Sequence, residues 1–132
     1  MSRMQKAMLA ATMLVLAAAA RGADIYVISH SGVTVTPADV RDVFLGDKQM
    51  AGGTRLVPVD NSAVQAAFLE KVVRMDAGKY STSWTKKSFR DGLQPPAVRP
   101  GDAATVDFVR QTPGAVGYVG AAPTGVTVIG KF

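Results

Sequence analysis

Past an apolar opening, the chain alternates short hydrophobic runs with polar stretches whose hydrophobic residues recur at helical spacing. Asp24 to Ser29, "DIYVIS", is rich in β-branched and aromatic residues and predicts a first strand. After the polar loop "HSGVTV", Thr36 predicts a helix start, with Pro37 at the first helical position and Asp39 completing a carboxylate variant of the capping box. Val40, Val43 and Phe44 give that helix an apolar face, and Gly46 stops it after Leu45. Asp47 to Arg55, with Gly52 and Gly53 adjacent, reads as a loop.

"LVPV", Leu56 to Val59, is the next strand, and "DNS" turns it straight into a helix predicted from about Ser62 to Arg74. Val64, Phe68, Val72 and Met75 form the apolar stripe of that helix. A further helix places Tyr80, Trp84 and Lys87 or Ser88 on one stripe, most simply a core-facing one, with Phe89 nearby and Asp91-Gly92 at its end. Pro95 and Pro96 force extended backbone into a short strand at Ala97-Val98. Gly101-Asp102 opens a helix through Gln111, "TPG" breaks it, "AVGYVG" supplies another strand, and Val126 to Ile129 a terminal one. Strands alternating with helices argue for an α/β layer rather than a sandwich or a bundle.

Composition refines this reading. Arg3 and Lys6 precede an uncharged apolar run, Ala7 to Ala20, that ends in small residues, which is the layout of a secretory signal peptide over residues 1–22. Cleavage is expected after Gly22, or alternatively after Ala20, leaving residues 23–132 as one domain destined for the periplasm. That run is shorter than the roughly 20 residues a membrane-spanning helix requires. Arg3, Lys6 and Arg21 fall in the leader and no acidic residue does, so 12 basic residues face 10 acidic ones in the remainder, a formal +2. The basic whole-chain pI of about 9.8 thus reflects the leader in part, which argues against a nucleic-acid partner. With no cysteine anywhere, stability has to come from packing alone.

Catalytic chemistry finds little material. His30 is the only histidine, in a loop where solvent is the expected surrounding. With no cysteine beside it, no transition-metal cage is expected, and no cofactor motif of the dinucleotide or phosphate-loop type occurs. Asp39 and Asp42 read as a solvated helix face rather than an acid/base pair, and Lys86, Lys87 and Arg90 likewise. The residues point to a binding or interaction module and not an enzyme. One stretch carries candidate binding chemistry. A strand that ends in Asp60-Asn61-Ser62 and turns into a helix aims backbone N–H groups, those of Ser62 and Ala63 among them, at the positive end of a helix dipole. Those residues either hold an anion or simply start the helix.

"DVRDVFLGDKQMAGGTRLVPVD", Phe68, Trp84, "FRDGLQPP" and "DFVRQTPGAVGYVG" together resemble the small periplasmic proteins related to the phosphate-binding proteins of phosphate ABC transporters. That resemblance spans about Asp24 to Val119 and implies a periplasmic-binding-protein-like α/β fold, a mixed sheet flanked by helices. Full-length members close two lobes on a tetrahedral oxyanion, whereas about 110 residues make roughly one lobe. Where members carry an "SGSGT"-like turn this chain has "DNSAVQ", so Ser62, with Asp60 before it, is the position that matches. The resemblance implies phosphate or a similar oxyanion bound weakly or by a homodimer, through Asn61, Ser62 and Ala63, with Ser29 and Ser31 on a second ligand-facing loop. Its implied partners are an ABC permease or a sensor protein. The alternative it leaves open is a ligand-free interaction module that docks on such a partner.

Overall fold

The computed structural model describes residues 23–132. The expected signal peptide and its cleavage site lie outside the described residues. Eleven regular elements follow one another: β1 (Tyr26–Ser29), α1 (Val40–Phe44, entered through a 3-10 turn at Pro37–Asp39), β2 (Met50–Ala51), β3 (Thr54–Arg55), β4 (Val57–Asn61), α2 (Gln65–Phe68, continuing as a π-helix over Leu69–Val73), α3 (Ala77–Asp91), β5 (Ala97–Arg99), α4 (Asp102–Gln111), β6 (Ala115–Val119) and β7 (Thr127–Lys131).

Five strands form one mixed sheet in the order β5-β4-β6-β1-β7. β4 runs parallel to both neighbours, and β1 antiparallel to both of its own. Alternation along each central strand divides the core into two layers. Val27, Val116 and Tyr118 face a large cluster containing Val40, Val43, Phe44, Phe68, Leu69, Val73, Tyr80 and Trp84 from α1, α2 and α3. Ile28, Val59, Ala115 and Val119 face Val109 of α4 on the other side. β6, buried at every position, is the central strand that a continuous apolar run predicts. The Phe68 and Tyr118 rings stack at 3.7 Å with Phe44 edge-on to both, so the larger layer is organised around an aromatic trio.

Several boundaries differ from the sequence expectation, each for a physical reason. β4 takes in Asp60 and Asn61, because both pair with β5, at Val98 and Arg99. α2 begins at Gln65 rather than Ser62, since Asn61 and Arg99 capture the N–H groups that would have opened the helix. It ends in a π turn in which Arg74 N–H donates to the Leu69 carbonyl at 2.6 Å, with Arg74 itself left-handed at φ 63°. Met75 lies past that end. The loop over residues 47–55 contains a hairpin, β2–β3, closed by Gly52-Gly53, both at positive φ (56° and 82°) as a two-residue turn of matching twist needs. Gly114, at φ 82°, passes so close to the Arg55 carbonyl that a Cβ there would lie 2.1 Å from it.

Two side chains expected in solvent are held in place. His30 is half-buried, with Nδ1 3.0 Å from the Val109 carbonyl oxygen, tying the end of β1 to α4. Lys87 is not part of a solvated basic face. Its ammonium pairs with Asp47 at 2.7 Å and donates to the Leu45 carbonyl at the end of α1, where a cation suits the helix dipole. Tyr80 and Trp84 are buried as their stripe predicts, whereas Phe89, one turn on, is 89% exposed.

Candidate functional site

Parallel strands β4 and β6 end at the same edge of the sheet, and the chain leaves each in a tight turn that borders the start of α4. Asn61 is fully buried there and organises the edge. Its Nδ2 donates to Asp102 Oδ1 at 2.9 Å and to the Tyr118 carbonyl at 3.1 Å, while its Oδ1 accepts from Ala63 N–H at 3.0 Å. The last contact is an Asx turn, which bends the chain without a helix cap. Ser62 N–H donates to the Arg99 carbonyl at 3.0 Å and Val64 N–H to the Asn61 carbonyl at 3.2 Å. The exposed Ser62 hydroxyl also turns to the Arg99 carbonyl, at 3.3 Å. The N–H groups expected to converge on an anion are therefore met by acceptors of the protein itself.

An anion does sit at this edge, and it is Asp102. Its carboxylate, at the first position of α4, accepts from Asn61 Nδ2, from Gly120 N–H at 3.1 Å and from Ala121 N–H at 3.2 Å. Side-chain amide, successive backbone N–H groups and helix N-terminus together form the kind of cradle that holds oxyanions.

Ser29 and Ser31 are not brought to this cradle. Ser29 pairs with Val116, which is level with Pro58 of β4. Asn61 is three positions beyond Pro58, about 10 Å along the strand. Ser29 is fully buried with its hydroxyl unpartnered, and exposed Ser31 lies in the turn beyond it. Asn61, Ser62 and Ala63 are thus gathered at one end of the sheet, and Ser29 and Ser31 at the other.

Sequence reasoning passed over Asp60, which lies on the face of β4 opposite Asn61. It is buried, and its two oxygens accept from the Tyr118 hydroxyl at 2.8 Å and the Tyr80 hydroxyl at 2.9 Å. Burial raises the Asp60 pKa above its ordinary value, and hydrogen bonding from the Tyr118 and Tyr80 hydroxyls and from Gln65 pulls it partway back. Both tyrosines are pushed up, first by their own burial and then by the negative charge beside them. None of the ion pairs among the described residues includes Asp60. The available signal was a carboxylate inside an otherwise apolar strand. Asp102 left a weaker trace, a Gly-Asp pair at a helix start. Among the described residues no group of three or more metal-ligating side chains assembles, and no helix is long and apolar enough to cross a membrane.

No family model and no curated protein matches the chain. Among solved structures it is similar to a Clostridium perfringens protein assigned as a phosphate ABC transporter substrate-binding protein and solved with bound phosphate. The two share 17% identity at a TM-score of 0.61, over 81% of this chain and 45% of that one. PstS from Borrelia burgdorferi aligns at 12% identity and a TM-score of 0.47, over 74% of this chain and 41% of its own. The chain spans less than half the length of either. The first likeness is one of fold: the five-stranded mixed sheet and its helices form a single periplasmic-binding-protein-like lobe.

Proposed function

We propose that this protein is a secreted, periplasmic, single-lobe relative of phosphate-transporter substrate-binding proteins that engages phosphate or a similar oxyanion weakly at the cradle now filled by Asp102. The observation that carries the proposal is the Asp102 carboxylate itself. An anionic group already rests on Asn61 Nδ2 and the Gly120 and Ala121 N–H groups, on a lobe folded like part of a phosphate-bound protein. An incoming oxyanion has to displace that side chain, which keeps affinity low. A partner surface, either a second copy or a transporter or sensor component, would supply the contacts that a second lobe makes in a two-lobed protein. Binding is the whole of the proposed activity and no reaction is assigned.

A second reading has its own support. Because Ser62, Ala63 and Val64 N–H groups are met internally, the lobe is also suited to work with no ligand, as a docking module. Amide NMR titration of wild type and Asp102→Ser with phosphate, and with sulfate, separates the two. The oxyanion reading expects weak, saturable shifts at Gly120 and Ala121 in wild type and binding about tenfold tighter in Asp102→Ser, a factor equal to about 1.4 kcal/mol. Absence of binding by both proteins at millimolar anion leaves the docking module.

A further inference from the structure

A groove of about 600 Å³ runs between α3 and the exposed edge strand β5, with Asp60 on its floor. Tyr80 and Trp84 form one wall, while Phe89, Pro96 and Val98 form the rim. Two features of this groove ask for a ligand of the same kind. On the rim of the same groove, Phe89 is 89% and Val98 56% exposed, an uncommon amount of large apolar surface to leave in water on a small domain. On the floor, Asp60 is the one charged residue among those lining the groove, which includes no lysine, arginine or histidine. Its oxygens accept one tyrosine hydroxyl each, with the neutral Gln65 side chain also beside them, and a carboxylate has lone pairs for more. A buried carboxylate met only by neutral donors has no countercharge from the protein when it ionises, and an incoming cation would supply one.

We infer that this groove binds a small organic ammonium ion, its charged head against Asp60 and an apolar tail of several carbons lying along Trp84, Phe89 and Pro96. A free metal ion fits poorly, because Asp60 has no second carboxylate or imidazole near it in the lining. A neutral apolar molecule would cover the rim yet leave the floor as it is. An anion would meet a like charge. An ammonium group with a hydrocarbon tail satisfies both ends, its N–H donors completing the Asp60 coordination and its tail removing Phe89 from water. The site lies on the opposite face of β4 from the Asp102 cradle, so this inference stands apart from the oxyanion reading.

Trp84 is the only tryptophan in the chain and stands in the groove wall, so its emission reports occupancy directly. The test is titration of the purified protein, in phosphate-free buffer near neutral pH, with n-hexylammonium and in parallel with 1-hexanol, the uncharged analogue. Hexylammonium should change Trp84 emission saturably and bind about tenfold tighter than hexanol. In Asp60→Asn, the two compounds should become equivalent. Phe89→Ser, at a position too exposed to affect folding, should weaken hexylammonium severalfold and serves if Asp60→Asn does not fold. Equal affinity for the two compounds in wild type, no saturable response to hexylammonium, or unchanged affinity in Phe89→Ser would each overturn the inference.

Discussion

Asp60 and Asn61 are neighbours on β4, yet they belong to two polar sites built on different principles. On one face Asn61 helps supply Asp102 with an amide, two backbone N–H groups and the start of a helix, and that carboxylate remains half-exposed. On the other face Asp60 is 2% exposed and depends on two tyrosine hydroxyls. The first carboxylate is held by donors fixed in the backbone, where pre-aligned dipoles add to the hydrogen bonds. The second is held by rotatable hydroxyls against a desolvation cost that they offset only in part. A carboxylate of the first kind acts as a built-in ligand and closes a site. One of the second kind leaves a site wanting a cation. Strand alternation alone produces the pair, since successive side chains of β4 enter different layers.

The sharpest way to break the comparison is Asn61→Ala. It removes three hydrogen bonds at a fully buried position, taking one donor from the Tyr118 carbonyl and leaving Asp102 Oδ1 with Gly120 N–H alone. A loss of about 2–4 kcal/mol in urea unfolding is expected. Tyr118→Phe attacks the opposite face and should cost about 2 kcal/mol near neutral pH, because it leaves a buried carboxylate with half its donors. That cost should shrink as the solution is acidified, since a protonated Asp60 needs fewer donors. Retention of the full cost at about pH 4 would mean that the Tyr118 hydroxyl serves something other than the Asp60 charge.

Asp60 also gives the fold a pH dependence of its own. Its folded pKa lies above the ordinary 3.8, so between those values the folded state binds more protons than the unfolded chain. Its contribution to stability is therefore fully present below the unfolded value and lost as pH rises through the folded one. Asp39 works in the opposite direction. The Thr36 hydroxyl and N–H hold its carboxyl low, so its contribution is lost as pH falls through that lowered value. Subtracting the stability of Asp60→Asn from that of wild type isolates the first effect, and the difference should move in favour of wild type as pH falls from about 7 to about 4. Tyr80 and Tyr118 are the titratable groups that face Asp60, and both stay neutral across that window.

The smallest effect is expected at Ser62. Its exposed hydroxyl makes one long contact with the Arg99 carbonyl, so Ser62→Ala should change stability by no more than about 0.5 kcal/mol. Under the oxyanion reading it should also alter phosphate titration far less than Asp102→Ser does. Should Ser62→Ala abolish anion binding while Asp102→Ser leaves it unchanged, the cradle has been placed on the wrong residues.

Much of the fold was legible along the chain. The Tyr80/Trp84 stripe, the apolar β6 run after "TPG", the Gly-Asp start of α4 and the alternation of strands with helices are local patterns, and the structure contains each. Less of the candidate site was legible. The turn after β4 looked like a helix cap because Asn, Ser and a following apolar stripe carry that meaning wherever nothing else competes. Here Arg99, 37 positions on, supplies the competing carbonyl, and β5 pairing draws Asp60 and Asn61 into the strand. Ser29 and Ser31 looked like a second ligand loop because nothing in their own segment reveals that β1 runs antiparallel to β4's neighbour β6.

By itself, then, the sequence determined the main strands and helices in their order, most of the core stripes and the α/β class, but not the β2–β3 hairpin, because periodicity, caps and glycine conformations act within a few residues. Only the tertiary structure decided which polar groups remain available. Asp102 meets Asn61 across 41 positions and Gly120 across 18, and Asp60 meets Tyr118 across 58. A donor or acceptor is free only when no such distant partner reaches it, and distance in space is what folding sets. The anion cradle foreseen at Ser62 was accordingly filled from within, and the carboxylate with no countercharge emerged one residue earlier, on the other face of the same strand.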